Sequence, residues 1–189
     1  MVGPKVGKDL REKAFLSIVY AILGIIVYIS WRFEFQYAIA AIIALIHDSL
    51  IVLGVFSVLG KLMDMEVNAM FITGVLTVIG YSVNDTIVVF DRVRENVARF
   101  QGLLLEEVVG LSVRETIGRS LNTSLTLLVV VVALFIFGGS TIQPLLLVLM
   151  VGVVVGTYSS IFTASLLLVA WETGELGRLI RKLPLVPSA

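Results

Sequence analysis

Residues 68–90 read NAMFITGVLTVIGYSVNDTIVVF. The run is long and apolar enough to match the roughly 20 residues a helix needs to cross a hydrocarbon core, yet Asn84 and Asp85 stand inside it. Ionisable side chains at that depth are costly, and they face a bundle interior or a wet cavity. Immediately afterwards the chain turns charged, so that residues 80–96, GYSVNDTIVVFDRVREN, carry a glycine, an intramembrane carboxylate and a polar exit in quick succession.

The rest of the chain supplies the setting. Of 189 residues, 58% are hydrophobic and 15% charged, and the mean hydropathy is +1.04, values that define an integral membrane protein. Four more apolar runs, at about 14–31, 38–60, 120–137 and 143–171, are long enough to span, giving five transmembrane helices in an all-α membrane protein. The continuous Val, Leu and Ile runs do not alternate as the strands of a barrel would, and in lipid a lone segment satisfies its backbone only as a helix. No linker divides the chain, which reads as one domain over 1–189. Between the third and fourth spans, LLLEEVVGLSVRETI places apolar residues on one helical face, as expected of an amphipathic helix on the membrane surface, with Gly110 against it.

Charge placement gives the orientation. Arg32, Arg92, Arg94, Arg99, Arg114, Arg119, Arg178, Arg181 and Lys182 fall on one side of a five-span chain, and Lys61 on the other. The positive-inside rule makes the first side cytoplasmic, together with the C-terminus. Lys5, Lys8, Arg11 and Lys13 then lie on the wrong side, and with the odd span count this predicts a further span upstream. The alternative is a five-span protein with its N-terminus outside. A formal net charge of zero carries no global basic field for nucleic acid. The absence of cysteine removes disulfide and thiolate chemistry.

Within the third span Thr73, Thr77, Tyr81, Asn84 and Asp91 recur at helical spacing, with Asp85 at the border of their face. Gly74 and Gly80 allow close approach of another helix, which would bury this stripe. Asp85 lies roughly 8 Å from the charged end of the run, within reach of water. In GRSLNTSLT at the start of the fourth span, Arg119, Asn122 or Thr123, and Thr126 make a second polar stripe beginning on the same side of the membrane. Arg119 is thus the candidate counter-ion of Asp85. A guanidinium that stays charged while it approaches and leaves a carboxylate is a sound proton relay; the plain alternative is a static pair that fixes helix register.

His47 and Asp48, in ALIHDSLIV, sit nearer mid-bilayer. Hydrogen bonding between helices is the favoured role for His47, with a second relay position as the alternative. Gly152–Gly156 (GVVVG) reads as a close-packing face of the fifth span. Arg92, Arg94 and Arg99 read as a solvated cluster that sets orientation. No phosphate-binding loop, multi-histidine metal site or activated nucleophile is present in the sequence, so an enzyme, a metal centre or an organic cofactor is not expected.

VGPKVGKDL ahead of the first run, IHDSLIVLGVFSVLG in the second, GYSVNDTIVVFDRVREN in the third and GRSLNTSLTLL in the fourth together resemble the SecD/SecF family of protein-export membrane subunits, and within it the SecF branch. The resemblance covers essentially the whole chain, and VNDTIVVFDRVREN is its most specific block. It implies the transmembrane half of a resistance-nodulation-division fold in the bacterial cytoplasmic (inner) membrane. It also implies SecD, the SecYEG channel, YajC and a preprotein as partners, and protons as the coupling ion. The family's proposed proton-path residues map onto Asp85 and Arg119. The family's first transmembrane helix and periplasmic domain have no counterpart within residues 1–189, so the resemblance implies that they are supplied upstream or elsewhere, and Ser120 stands where the family often has threonine. Besides proton-driven export, the residues leave open a passive scaffold for SecD and the channel and, more remotely, a proton-coupled small-molecule exporter.

Overall fold

The computed structural model describes residues 4–63 and 68–174. Every element among them is helical: α1 (Pro4–Arg32), α2 (Phe35–Met63), α3 (Ala69–Arg99), α4 (Leu105–Phe137), a 3₁₀ turn (Ser140–Ile142), α5 (Gln143–Tyr158), a π turn (Ser159–Thr163) and α6 (Ala164–Glu172). The last four run on as one span, so five apolar helical segments cross the bundle as the sequence predicts. Arg178, Arg181 and Lys182, counted for orientation, lie outside the described residues.

The boundaries follow local chemistry. Asn68 caps α3, its side chain accepting from the Phe71 amide at 3.1 Å, which satisfies one of the four orphan donors of a helix start. Pro144 sits in the first turn of α5, where its missing N–H costs nothing. Gly174, at φ 69°, follows the end of α6 in the left-handed conformation that glycine adopts freely.

The helices run beyond the apolar segments read from the sequence, α1 beginning at Pro4 and α2 spanning Phe35–Met63, and at the arginine-rich end two boundaries differ more consequentially. The third span does not end at Phe90: α3 continues through DRVREN to Arg99. The amphipathic segment is helical, but it forms no separate surface helix, because α4 runs unbroken from Leu105 to Phe137. Ion pairs support both extensions outside the apolar runs. Arg92 bridges Glu95 at 2.6 Å and Glu115 at 2.5 Å, tying the end of α3 to the start of α4. Arg32 pairs with Asp91 at 3.0 Å, and Arg94 donates to the Arg32 carbonyl at 3.2 Å. Arg32, Arg92 and Arg94 therefore hold three helices together rather than standing simply solvated.

The glycines of α5 set how closely it approaches α3, the other largely buried span. A Cβ at Gly152 would overlap the Val78 side chain, and one at Gly156 would lie 3.2 Å from Ser82 Cβ. On α3, Gly74 meets Val148 in the same way, at 3.0 Å. Lipid does not drive helices together by hydrophobicity, so such small residues supply the contact. Phe33, Tyr37 and Phe90 close the core at the arginine-rich end, with ring centroids 5.2–6.4 Å apart. Leu16, Leu23, Val27 and Trp31 of α1 are exposed, as expected of a lipid-facing helix.

Candidate functional site

Asp85 is buried, at 5% exposure, on the flank of α3 that meets α4. Its Oδ1 accepts a 2.7 Å hydrogen bond from Ser120 Oγ. Its Oδ2 is buried and has no hydrogen-bond partner among the described residues. The side of α4 facing α3 is a four-residue repeat of small hydroxyls, Ser112, Thr116, Ser120 and Ser124, all buried. Each except Ser120 donates back to the carbonyl one turn earlier. Ser120 instead donates its hydrogen bond to Asp85.

The face of α4 expected to meet Asp85 is therefore displaced by one residue. Arg119, Asn122, Thr123 and Thr126 are exposed, and Arg119 makes no hydrogen bond or ion pair with Asp85. Consecutive helical residues are about 100° apart, so the register that inserts Ser120 turns Arg119 to the outer border of the contact. The α3 stripe shows the same pattern. Thr73, Thr77 and Asn84 are exposed, and Tyr81 is half-buried, its hydroxyl 2.9 Å from Ser124 Oγ. The exposed threonines bond to their own helix, Thr73 to Ala69 O at 2.9 Å and Thr77 to Thr73 O at 2.8 Å. Two polar strips that flank the α3–α4 contact are thus left uncovered by this chain. Asp91 belongs to the ion pairs at the end of α3.

A second buried carboxylate stands across α3. Asp48 of α2 is 1% exposed; its Oδ2 accepts from Ser82 Oγ at 2.5 Å, and its Oδ1 lies 3.2 Å from His47 Nδ1. The bond between helices comes from Asp48, while His47 pairs with its own neighbour. Ser82 is three residues before Asp85, so the two carboxylates occupy adjacent levels of α3, about 4.5 Å apart along its axis. Hydroxyls continue the network into the last span: Thr86 Oγ1 is 2.8 Å from Ser160 Oγ, which also reaches Ser82 O at 3.2 Å, and Ser124 is 2.5 Å from Thr157. Ser160 belongs to the π turn, a wider winding that often marks functional positions in membrane and soluble helices alike. In the sequence Thr157 and Ser160 read as part of the close-packing face with GVVVG, and Ser120 only as a departure from the family; Ser82, Thr86 and Ser124 carry no such mark, although the spacing of Ser112, Thr116, Ser120 and Ser124 is visible there.

Chemically, the core holds two carboxylates, each served by a serine from a different helix. No cluster of three or more metal-ligating side chains occurs among the described residues.

Comparison with known proteins bears on this arrangement. The family model for protein export membrane protein SecD/SecF, C-terminal, matches residues 1–174. The protein translocase subunit SecF of Thermobaculum terrenum is 50% identical over 186 residues, covering 96% of this chain and 59% of that protein. The protein translocase subunit SecDF of Bacillus subtilis is 44% identical, covering 93% of this chain and 24% of that protein. The crystal structure of SecDF, a translocon-associated membrane protein from Thermus thermophilus, superposes with a TM-score of 0.84 at 40% identity, covering 90% of this chain and 23% of that one. The chain thus spans about three fifths of the SecF relative's length, and it belongs to the SecD/SecF family of protein-export membrane proteins.

Proposed function

We propose that this chain is the membrane part of a Sec translocase subunit of the SecF type, which uses the proton motive force to assist preprotein export, with Asp85 as the group that takes up and releases the proton. The observation that carries this reading is the state of the Asp85 carboxyl: buried in the bundle, held through one oxygen by Ser120, with the other oxygen unpartnered among the described residues. A group held on one side only can bind a proton on the other without breaking the bundle.

Arg119 is the counter-ion in this proposal. It lies one residue from the serine that holds Asp85, and rotation of α4 by a fraction of a turn would exchange one for the other. The uncovered strips of Thr73, Thr77 and Asn84 on α3 and of Arg119, Asn122 and Thr126 on α4 call for a polar partner. SecD is that partner here; the name SecDF, carried by the Bacillus subtilis relative and the Thermus thermophilus structure, joins the two. SecYEG, YajC and the preprotein complete the proposed assembly in the bacterial inner membrane, with the arginine-rich end cytoplasmic. The role is coupling rather than catalysis, with protons and no organic cofactor.

The passive-scaffold reading draws on a separate observation, that Ser120 and not Arg119 contacts Asp85. Asp85→Asn separates the two readings, because asparagine keeps the shape and loses the exchangeable proton. Proton-driven coupling predicts that this variant assembles normally but loses gradient-dependent stimulation of export in energised vesicles. Normal stimulation would refute the relay, and failure to assemble would favour the scaffold.

A further inference from the structure

On the side of α4 turned away from Arg119, Asn122 and Thr126, an apolar groove of about 320 Å³ runs between α4 and α5. Leu121, Leu125 and Leu128 form one wall, and Val154, Tyr158 and Phe162 the other. Four residues apart on one helical face, the Tyr158 and Phe162 rings lie alongside each other, with centroids 5.1 Å apart. Beneath the groove the two helices touch through Ser124 and Thr157 at 2.5 Å, so it is a furrow over a closed contact.

Going toward the arginine-rich end, the same face of α4 continues into a second, open hollow of about 410 Å³ bordered by Leu103, Glu107, Gly110 and Arg114. Gly110 lies on the floor of the hollow, between Glu107 and Arg114 on one face, and a Cβ there would meet nothing within 4 Å. Glycine inside a helix costs about 1 kcal/mol relative to alanine, and here it leaves room. Glu107 and Arg114 are exposed and have no ion-pair partner among the described residues. Glu95 and Glu115, by contrast, are both engaged by Arg92.

The depth of these groups is set by helix length. At about 1.5 Å per residue, the 33 residues of α4 make roughly 50 Å, against about 30 Å of hydrocarbon. With Phe137 at one boundary, the other falls near Ile117, about 20 residues earlier. Arg114 is then at headgroup level, Glu107 is farther out, and the Leu121–Leu128 furrow lies in the hydrocarbon.

We propose that this face is a binding site for one phospholipid with an amine headgroup. Its phosphate pairs with Arg114, its ammonium with Glu107, and one acyl chain lies in the furrow. The order of charges along α4 (acid outermost, base next, apolar furrow last) repeats the order of ammonium, phosphate and acyl chain in such a lipid. A partner helix fits less well, since helices in membranes meet through small residues and these walls are Leu, Val, Tyr and Phe. The site is independent of the relay proposed for Asp85, and its test has no export readout.

The test reconstitutes the full chain into vesicles of phosphatidylethanolamine and phosphatidylglycerol in equal parts, with trace phosphatidylethanolamine carrying a photoactivatable acyl chain. Adducts are mapped by peptide mass spectrometry. The expected result is labelling of Leu121, Leu125 and Phe162 above that of Asn122 and Thr126. Arg114→Gln should lower it about fivefold, the worth of one basic side chain at a lipid surface, and Gly110→Leu, which fills the hollow, should lower it at least as much. A phosphatidylglycerol probe should label the furrow less than the amine lipid, and Glu107→Gln should remove that difference. Uniform labelling around α4 that neither variant changes would overturn the proposal, as would equal labelling by both probes. The chain has no cysteine, so Leu125→Cys provides a unique cross-linking position. Chain-to-chain cross-links from it in place of lipid adducts would show a second copy in the furrow and equally overturn the proposal.

Discussion

Gly152→Ala is the sharpest test of how the bundle is assembled. A Cβ at this position of α5 overlaps both methyl groups of Val78 on α3 and lies 2.9 Å from Val78 Cβ, which is fixed by the backbone. Carbon atoms are at ease at about 3.5–4.0 Å, so α3 and α5 must separate by roughly 0.6–1.1 Å even after the Val78 methyls turn aside. Overpacking of this kind costs about 1–3 kcal/mol, which at about 1.4 kcal/mol per tenfold is roughly a five- to 140-fold loss in the folding equilibrium. The same separation would stretch the 2.8 Å Thr86–Ser160 contact toward the limit of a hydrogen bond. Reversible unfolding in mixed micelles, followed by circular dichroism, gives the measurement. Val78→Ala removes the two methyls that meet the new Cβ, so Val78→Ala/Gly152→Ala should be more stable than the sum of the single variants implies, by at least about 0.5 kcal/mol. Wild-type stability of Gly152→Ala, or additivity in the double variant, would refute the close contact of α3 and α5 at this level.

Three further outcomes follow from the polar contacts, alongside the loss of coupling expected of Asp85→Asn. Ser120→Ala removes the donor to Asp85 Oδ1, leaving both oxygens without a partner among the described residues; a loss of about 1–3 kcal/mol is expected in the same unfolding assay, restored by Ser120→Thr. Ser82→Ala takes the hydroxyl from Asp48 Oδ2 across the α2–α3 contact, with a loss of about 1–3 kcal/mol, and unchanged stability would show that this buried bond contributes nothing. Asn68→Ala removes the α3 cap and should cost about 1 kcal/mol, whereas Asn68→Asp should keep most of it, as read by hydrogen exchange at the first turn of α3.

Much of the fold was legible because the bilayer restricts what a chain can do. A run of about 20 apolar residues has one stable form in hydrocarbon, the helix, so the five spans could be counted from composition. The ends were harder. Residues 91–119 are charged enough to suggest a surface segment, but pairing of Arg92 with Glu115 stabilises helix beyond the membrane on both α3 and α4, and no local pattern announces a partner 23 residues away. Close packing of the last span could be read from GVVVG, since glycine at four-residue spacing acts through shape alone.

The sequence by itself determined the five apolar helical segments, the place of Asp85 and Asp48 within two of them, and which residues share a helical face, because helical periodicity is a property of each segment alone. It could not determine which face meets which neighbour. The fourth span offers two polar faces, one with Arg119, Asn122 and Thr126 and one with Ser112, Thr116, Ser120 and Ser124, and charge favoured the first. The tertiary structure chose the second, for a physical reason. Small hydroxyl residues let α4 approach α3 closely and bond back to their own helix, whereas a guanidinium between the helices would hold them apart and require its own counter-charge in the bundle. Ser120 therefore holds Asp85, and Arg119 is left on the uncovered side, where a partner's helices can reach it.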